Sequence, residues 1–161
     1  MRPEPWSSRS TTSPRRPDAI EVLTELLGAP PSDEPYRATN HTPAGVYHAW
    51  DDLVIDERFY DEAVRDEWPL RFAVYFDGPS VRGLDLASAQ GFHADDAWTT
   101  LSGDPVVDSG LLSCEGTPVE AFDAVDESPR TVAVVARASD DGATIRWLSA
   151  PQSVMERLGC V

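Results

Sequence analysis

The segment TVAVVARASDDGATIRWLS, residues 131–149, constrains this chain more than any other. Two runs rich in β-branched and apolar residues, 131–138 and 144–149, flank the turn signal Asp140-Asp141-Gly142, which predicts a β-hairpin with VAVVA as its buried run. A second strand is predicted over residues 70–76, where RFAVYF is closed by Asp77-Gly78. Further strands are expected over 45–55, over 81–87, where Leu84 and Leu86 alternate with polar neighbours, and over 119–125.

Helical signals are fewer. Asp18 and Glu21 have capping-box spacing, Ile20, Leu23, Leu26 and Leu27 share one helical face, and Gly28, Pro30 and Pro31 stop the pattern. Residues 56–68 repeat Phe59, Tyr60, Ala63, Val64 and Trp68 at a spacing near four, which predicts a short helix capped by Asp56. Ala94, Ala97, Trp98 and Leu101 fit a helix ended by Gly103 and Pro105. Pro151, Val154, Met155, Leu158 and Gly159 fit a terminal one. Residues 106–118 read as a loop. The order predicts an α+β fold, a mainly antiparallel sheet of five to six strands with three to four short helices packed on one face.

Charge is distributed unevenly. The chain has 161 residues, 28 acids, 13 Arg and no Lys, for a formal charge of -15. Residues 1–16 carry four Arg and one Glu, net +3, and the remaining residues carry 27 acids against nine Arg, net -18. The first stretch, MRPEPWSSRSTTSPRR, has too little apolar surface to offset its ordering entropy and is expected to be a disordered basic tail. Residues 17–161 are expected to form a single acidic α+β domain. An acidic body disfavours nucleic acid and anionic membranes as partners and favours a basic protein. Without Lys, Schiff-base and lysine phosphate-cradling chemistries are excluded. The tail has no apolar run of signal-peptide kind, so the expected location is the cytoplasm. Cys114 and Cys160 are accordingly expected as free thiols, since a bridge between them would require an oxidising compartment.

Acidic pairs recur every five residues through 56–67, preceded by Asp51 and Asp52. On a helix this period winds the charge around the surface and gathers it on no single ion, and no calcium-loop spacing is present. Asp51, Asp52, Asp56, Glu57, Asp61, Glu62, Asp66 and Glu67, with Trp68 as an aromatic anchor, are therefore the candidate partner-binding surface. Trp50, Trp98 and Trp147 are expected in the core. His41, His48 and His93 stand in no metal or nucleophile motif.

Two resemblances attach to these residues. VYFDGPSV, RGLDLA and TLSGDP resemble the acidic motifs of NYN/PIN-type nucleases, which implies a magnesium-dependent phosphodiesterase using Asp77, Asp85, Asp104 and Asp108. Over a longer stretch, WDDLVI followed by GLDLASAQGFHADDAWTTLSGDP and a hairpin resembles small actinobacterial proteins with a module similar to BamE and the β-lactamase-inhibitor-like α+β proteins. Gly91, Phe92, Trp98 and Leu101 carry that likeness, which implies binding to another protein. The expectation is a non-enzymatic, immunity- or inhibitor-like module for a basic partner protein, with no cofactor and no metal. The alternative is the metal-dependent nuclease.

Overall fold

The computed structural model describes residues 16–40, 42–59, 71–124 and 130–154. Its chain divides into two units, Met1–Pro30 and Pro31–Val161. In the first, helix α1 spans Arg16–Leu27 and ends at Gly28, whose φ of +73° suits the left-handed position after a helix.

The second unit is a sheet. Its strands are β1 (Ser32–Tyr36), β2 (Gly45–Trp50), β3 (Leu53–Arg58), β4 (Phe72–Phe76), β5 (Ser80–Val81), β6 (Leu84–Asp85), β7 (Thr117–Ala124), β8 (Arg130–Ala138) and β9 (Ile145–Ser153). Seven form one antiparallel sheet in the order β1-β2-β3-β4-β9-β8-β7, and β5 and β6 form a separate two-stranded ribbon. The expected α+β fold with three to four helices is thus corrected to a mainly-β fold, with α1 the one α-helix among the described residues.

Each correction has a local cause. Residues 45–55 were expected as one strand, but Asp51-Asp52 is a two-residue turn that sets Trp50 opposite Leu53, with Asp51 at φ +50°. Asp56 caps no helix: β3 continues to Arg58, and Asp56 is buried on the face opposite Leu53 and Ile55. The rest of that expected helix, residues 60–68, lies outside the described residues. Within the expected 94–101 helix, the N–H groups of Asp95 and Trp98 donate to the carbonyls of Ile145 and Ala143 (2.7 and 2.8 Å), which leaves one 3₁₀ turn, Trp98–Leu101. The expected terminal helix is replaced through Ser153 by strand β9, with Gln152 and Ser153 paired to Ala133 and Val132. Pro151 falls where the β8–β9 ladder is irregular, a position that tolerates its missing donor. Met155, Leu158 and Gly159 lie outside the described residues. β1 arises from SDEPY, which has no apolar alternation because it is an outer strand and almost wholly exposed.

Register fixes the faces. Trp50, Leu53, Phe76, Leu148 and Ala136 pair in succession across five strands, so they form one continuous row. The excursion from residue 86 to 116 brings Leu101, Phe92, Trp98 and Val107 against Leu148, Ala136, Ile145 and Val119 on this face. On the opposite face the next row holds Ala49, Val54, Tyr75, Ser149 and Val135. Trp147 lies near Tyr75, edge to face at 5.6 Å, and Arg137 lies over its ring. Trp50 is 1% exposed at the outer end of the core row. Trp50→Ala is expected to lower stability by about 3–5 kcal/mol, measured as a lower urea midpoint with unchanged slope.

Candidate functional site

The acidic run does not form one surface. Asp51 and Asp52 are exposed on the β2–β3 turn, where Arg82 Nε reaches Asp51 Oδ2 at 3.2 Å and Asp77 N–H donates to the Asp52 carbonyl at 2.9 Å. Asp33 and Glu34 are exposed on the outer strand β1, and Asp33 lies opposite His48, two residues before the strand ends at that turn. Asp51, Asp52 and Asp77 thus share one corner of the sheet, and Asp33 and Glu34 stand in the third and fourth rows from that turn on the outer strand. Asp56 and Glu57 leave this surface and turn to opposite faces of β3. Asp61, Glu62, Asp66, Glu67 and Trp68 lie outside the described residues.

Asp56 is 2% exposed and fully engaged. Tyr36 Oη donates to its Oδ1 at 2.6 Å and Arg58 Nε to its Oδ2 at 2.7 Å, while Tyr36 stacks on Tyr47 with centroids 4.6 Å apart. Gly45 permits this packing, because a Cβ there would run into the Tyr36 hydroxyl and the Glu57 carbonyl. Burial and then the Asp56 carboxylate hold the Tyr36 hydroxyl well above the usual tyrosine range, and burial likewise raises Tyr47 and Tyr75. On the other face His48 is clamped, Nδ1 to Asp33 Oδ1 at 2.8 Å and Nε2 to Glu57 Oε2 at 3.2 Å. Since ionised carboxylates only accept, both ring nitrogens donate only when the ring is cationic.

The four aspartates of the nuclease alternative occupy different settings. Asp77 is in the exposed turn after β4, and Asp85 on β6 faces His93 Nε2 at 3.0 Å. Asp104 is buried and caps the turn ahead of it, its Oδ1 accepting the N–H groups of Val106 and Val107 at 2.8 and 3.1 Å. Asp108 is exposed in the 3₁₀ turn Val107–Ser109. Among the described residues no three His, Cys, Asp or Glu side chains gather as a metal site. The segment carrying the BamE-like resemblance, residues 91–101, is a loop ending in a 3₁₀ turn, and Cys114, expected as a free thiol, is disulfide-bonded.

One feature has no signal in the sequence alone. Beside β7 the core face opens into a cavity of about 510 Å³ lined by Val74, Phe76, Phe122, Val134, Leu148 and Glu120. Glu120 and Val74 are far apart in sequence, and β4, β9, β8 and β7 must pair before they line one wall. Alternation within β7, once its register is known, would have placed Glu120 and Phe122 on one face.

Compared with known proteins, the chain matches no family model, no curated protein and no solved structure.

The Tyr36–Asp56 bond makes two measurable claims. Tyr36→Phe leaves a buried carboxylate short of one donor and is expected to cost about 1–3 kcal/mol in urea unfolding. Because the folded state holds the Tyr36 proton more tightly than the unfolded chain, this stabilisation is complete below the ordinary tyrosine value near 10 and is lost as pH rises above it. Stability of the parent chain should therefore fall more steeply above that pH than stability of Tyr36→Phe.

Proposed function

We propose that this chain is a non-enzymatic binding module, immunity- or inhibitor-like, that engages a basic protein through the acidic corner of its sheet. The observation that carries the reading is the placement of Asp51 and Asp52, exposed on a two-residue turn with Asp77 alongside and Asp33 and Glu34 on the neighbouring outer strand. Among the described residues Arg82 pairs with Asp51 there, while Asp33 meets His48 on the outer strand. Such a corner steers a cationic surface toward it, and the attraction weakens as salt shortens the screening length. The ionisable groups of the interior point the same way. Both oxygens of Asp56 and both ring nitrogens of His48 are taken up by neighbours, and Asp104 Oδ1 caps a turn, an arrangement that serves rigidity.

No helix among the described residues is long and apolar enough to cross a membrane. The disulfide at Cys114 supports an oxidising compartment in place of the expected cytoplasm. Thiol titration of the denatured, unreduced protein is expected to find no free thiol, and detection of two would return the assignment to a reducing compartment.

The interaction is tested by affinity capture at low ionic strength followed by titration of the purified partner with the parent chain and with Asp51→Arg/Asp52→Arg. The expected partner is basic, binds more weakly in about 0.3 M salt than in about 0.05 M, and loses at least about tenfold in affinity to the double variant. Capture of no basic protein, or equal affinity for both forms, overturns the reading.

A further inference from the structure

The cavity beside β7 has none of the corner aspartates in its lining and has its own chemistry. Register places Val74, Phe76, Phe122, Val134, Leu148 and Glu120 on the same face of the sheet, and the 87–90 segment forms the facing wall. Its volume, about 510 Å³, is that of a small-molecule site. Phe122 is 44% exposed at its side, so the cavity opens to solvent at β7. Among the described residues the walls are apolar apart from Ser88, Gln90, Ser149 and Glu120, and Glu120 is the one ionisable group in that lining.

Glu120 is 7% exposed. Its Oε1 accepts the Gln90 N–H at 2.6 Å and its Oε2 the Ala89 N–H at 3.2 Å. These two donors hold the carboxylate in place and stabilise its charge, but they carry no net charge of their own. Among the described residues no Arg or His lines the cavity. A carboxylate also has about four acceptor sites, of which two are used. The cavity therefore presents a fixed, largely desolvated negative charge beside an apolar body, with acceptor capacity remaining. Such a charge is costly until a cation meets it.

We propose that this cavity binds an organic cation with an apolar body, of the alkylammonium class, whose ammonium group is neutralised by Glu120 while its hydrocarbon part lies against Val74, Phe76, Val134 and Leu148. An anionic amphiphile of the same shape is repelled, and a neutral one gains the apolar contact alone. Latching of the 87–90 segment to β7 by Glu120 accounts for the two backbone bonds but predicts no preference among ligand charges.

The test uses the full chain and four probes: octylammonium, octanol, octanoate and ethylammonium. Calorimetry is expected to show saturable, one-to-one binding of octylammonium, at least about tenfold tighter than octanol, with no binding of octanoate. Ethylammonium has the charge without the body and measures general attraction to the acidic surface, so it is expected to bind weakly and without saturation. Amide and methyl shifts on adding octylammonium should centre on Ala89, Gln90, Phe122 and Val134. Glu120→Gln is expected to abolish the preference for octylammonium over octanol. If that variant does not fold, the ranking of the four probes on the parent chain decides alone. Equal affinity for octylammonium and octanol, no saturable binding, or shifts confined to the β2–β3 turn overturns the proposal.

Discussion

A seven-stranded sheet has two faces to shield from water, and the described part of the sheet unit contains no α-helix with which to cover either. That requirement shapes everything else. One face is covered by the chain's own excursion through residues 86–116, which lays Phe92, Trp98, Leu101 and Val107 over the row containing Leu148 and Ala136. Backbone bonds from Asp95 and Trp98 to the start of β9, and from Ile145 back to Asp96, fasten that cover. The other face carries amphipathic side chains instead. Tyr36, Tyr47, Tyr75 and Trp147 present large apolar rings that tolerate contact with water through their polar atoms.

Placing polar groups at this depth requires built-in donors. Asp56 takes donors from Tyr36 and Arg58, Asp104 from two turn amides and Glu120 from two loop amides. Burial of such groups is tolerated only because these partners are built in. Among the three, Asp56 alone has a guanidinium on it. Glu120 keeps an uncompensated charge where the cover stops short of β7, and that is why the cavity there differs chemically from the rest of the interior.

Legible from the sequence were the segments whose signal is local. VAVVA with its Asp-Asp-Gly turn gave β8 and β9, RFAVYF gave β4, and the spaced apolar residues before Gly28 gave α1. What failed were places where a long-range partner overrides a local pattern. Residues 94–101 have helical spacing, but β9 claims their N–H groups. Asp56 has the look of a cap, yet Tyr36, twenty residues away, draws it into the sheet. Asp51-Asp52 was missed as a turn because it lacks glycine and interrupts an otherwise apolar stretch. The two exposed carboxylates of the candidate corner were visible as acids, whereas their company with Asp77 required the strand pairing. Asp56 and Arg58 sit two apart on one strand, and that spacing would have disclosed their ion pair had the segment been taken as extended.

The strand order divides the sheet into two consecutive meanders, β1 to β4 and β7 to β9, which meet only where Val74, Tyr75 and Phe76 pair with Ala150, Ser149 and Leu148. The connection between them is the long covering loop. Each half is therefore assembled from sequence neighbours, and the two are sewn together by a three-rung seam. A backbone break in the loop would leave two pieces with complementary edges, which makes this architecture suited to reconstitution from separately expressed fragments.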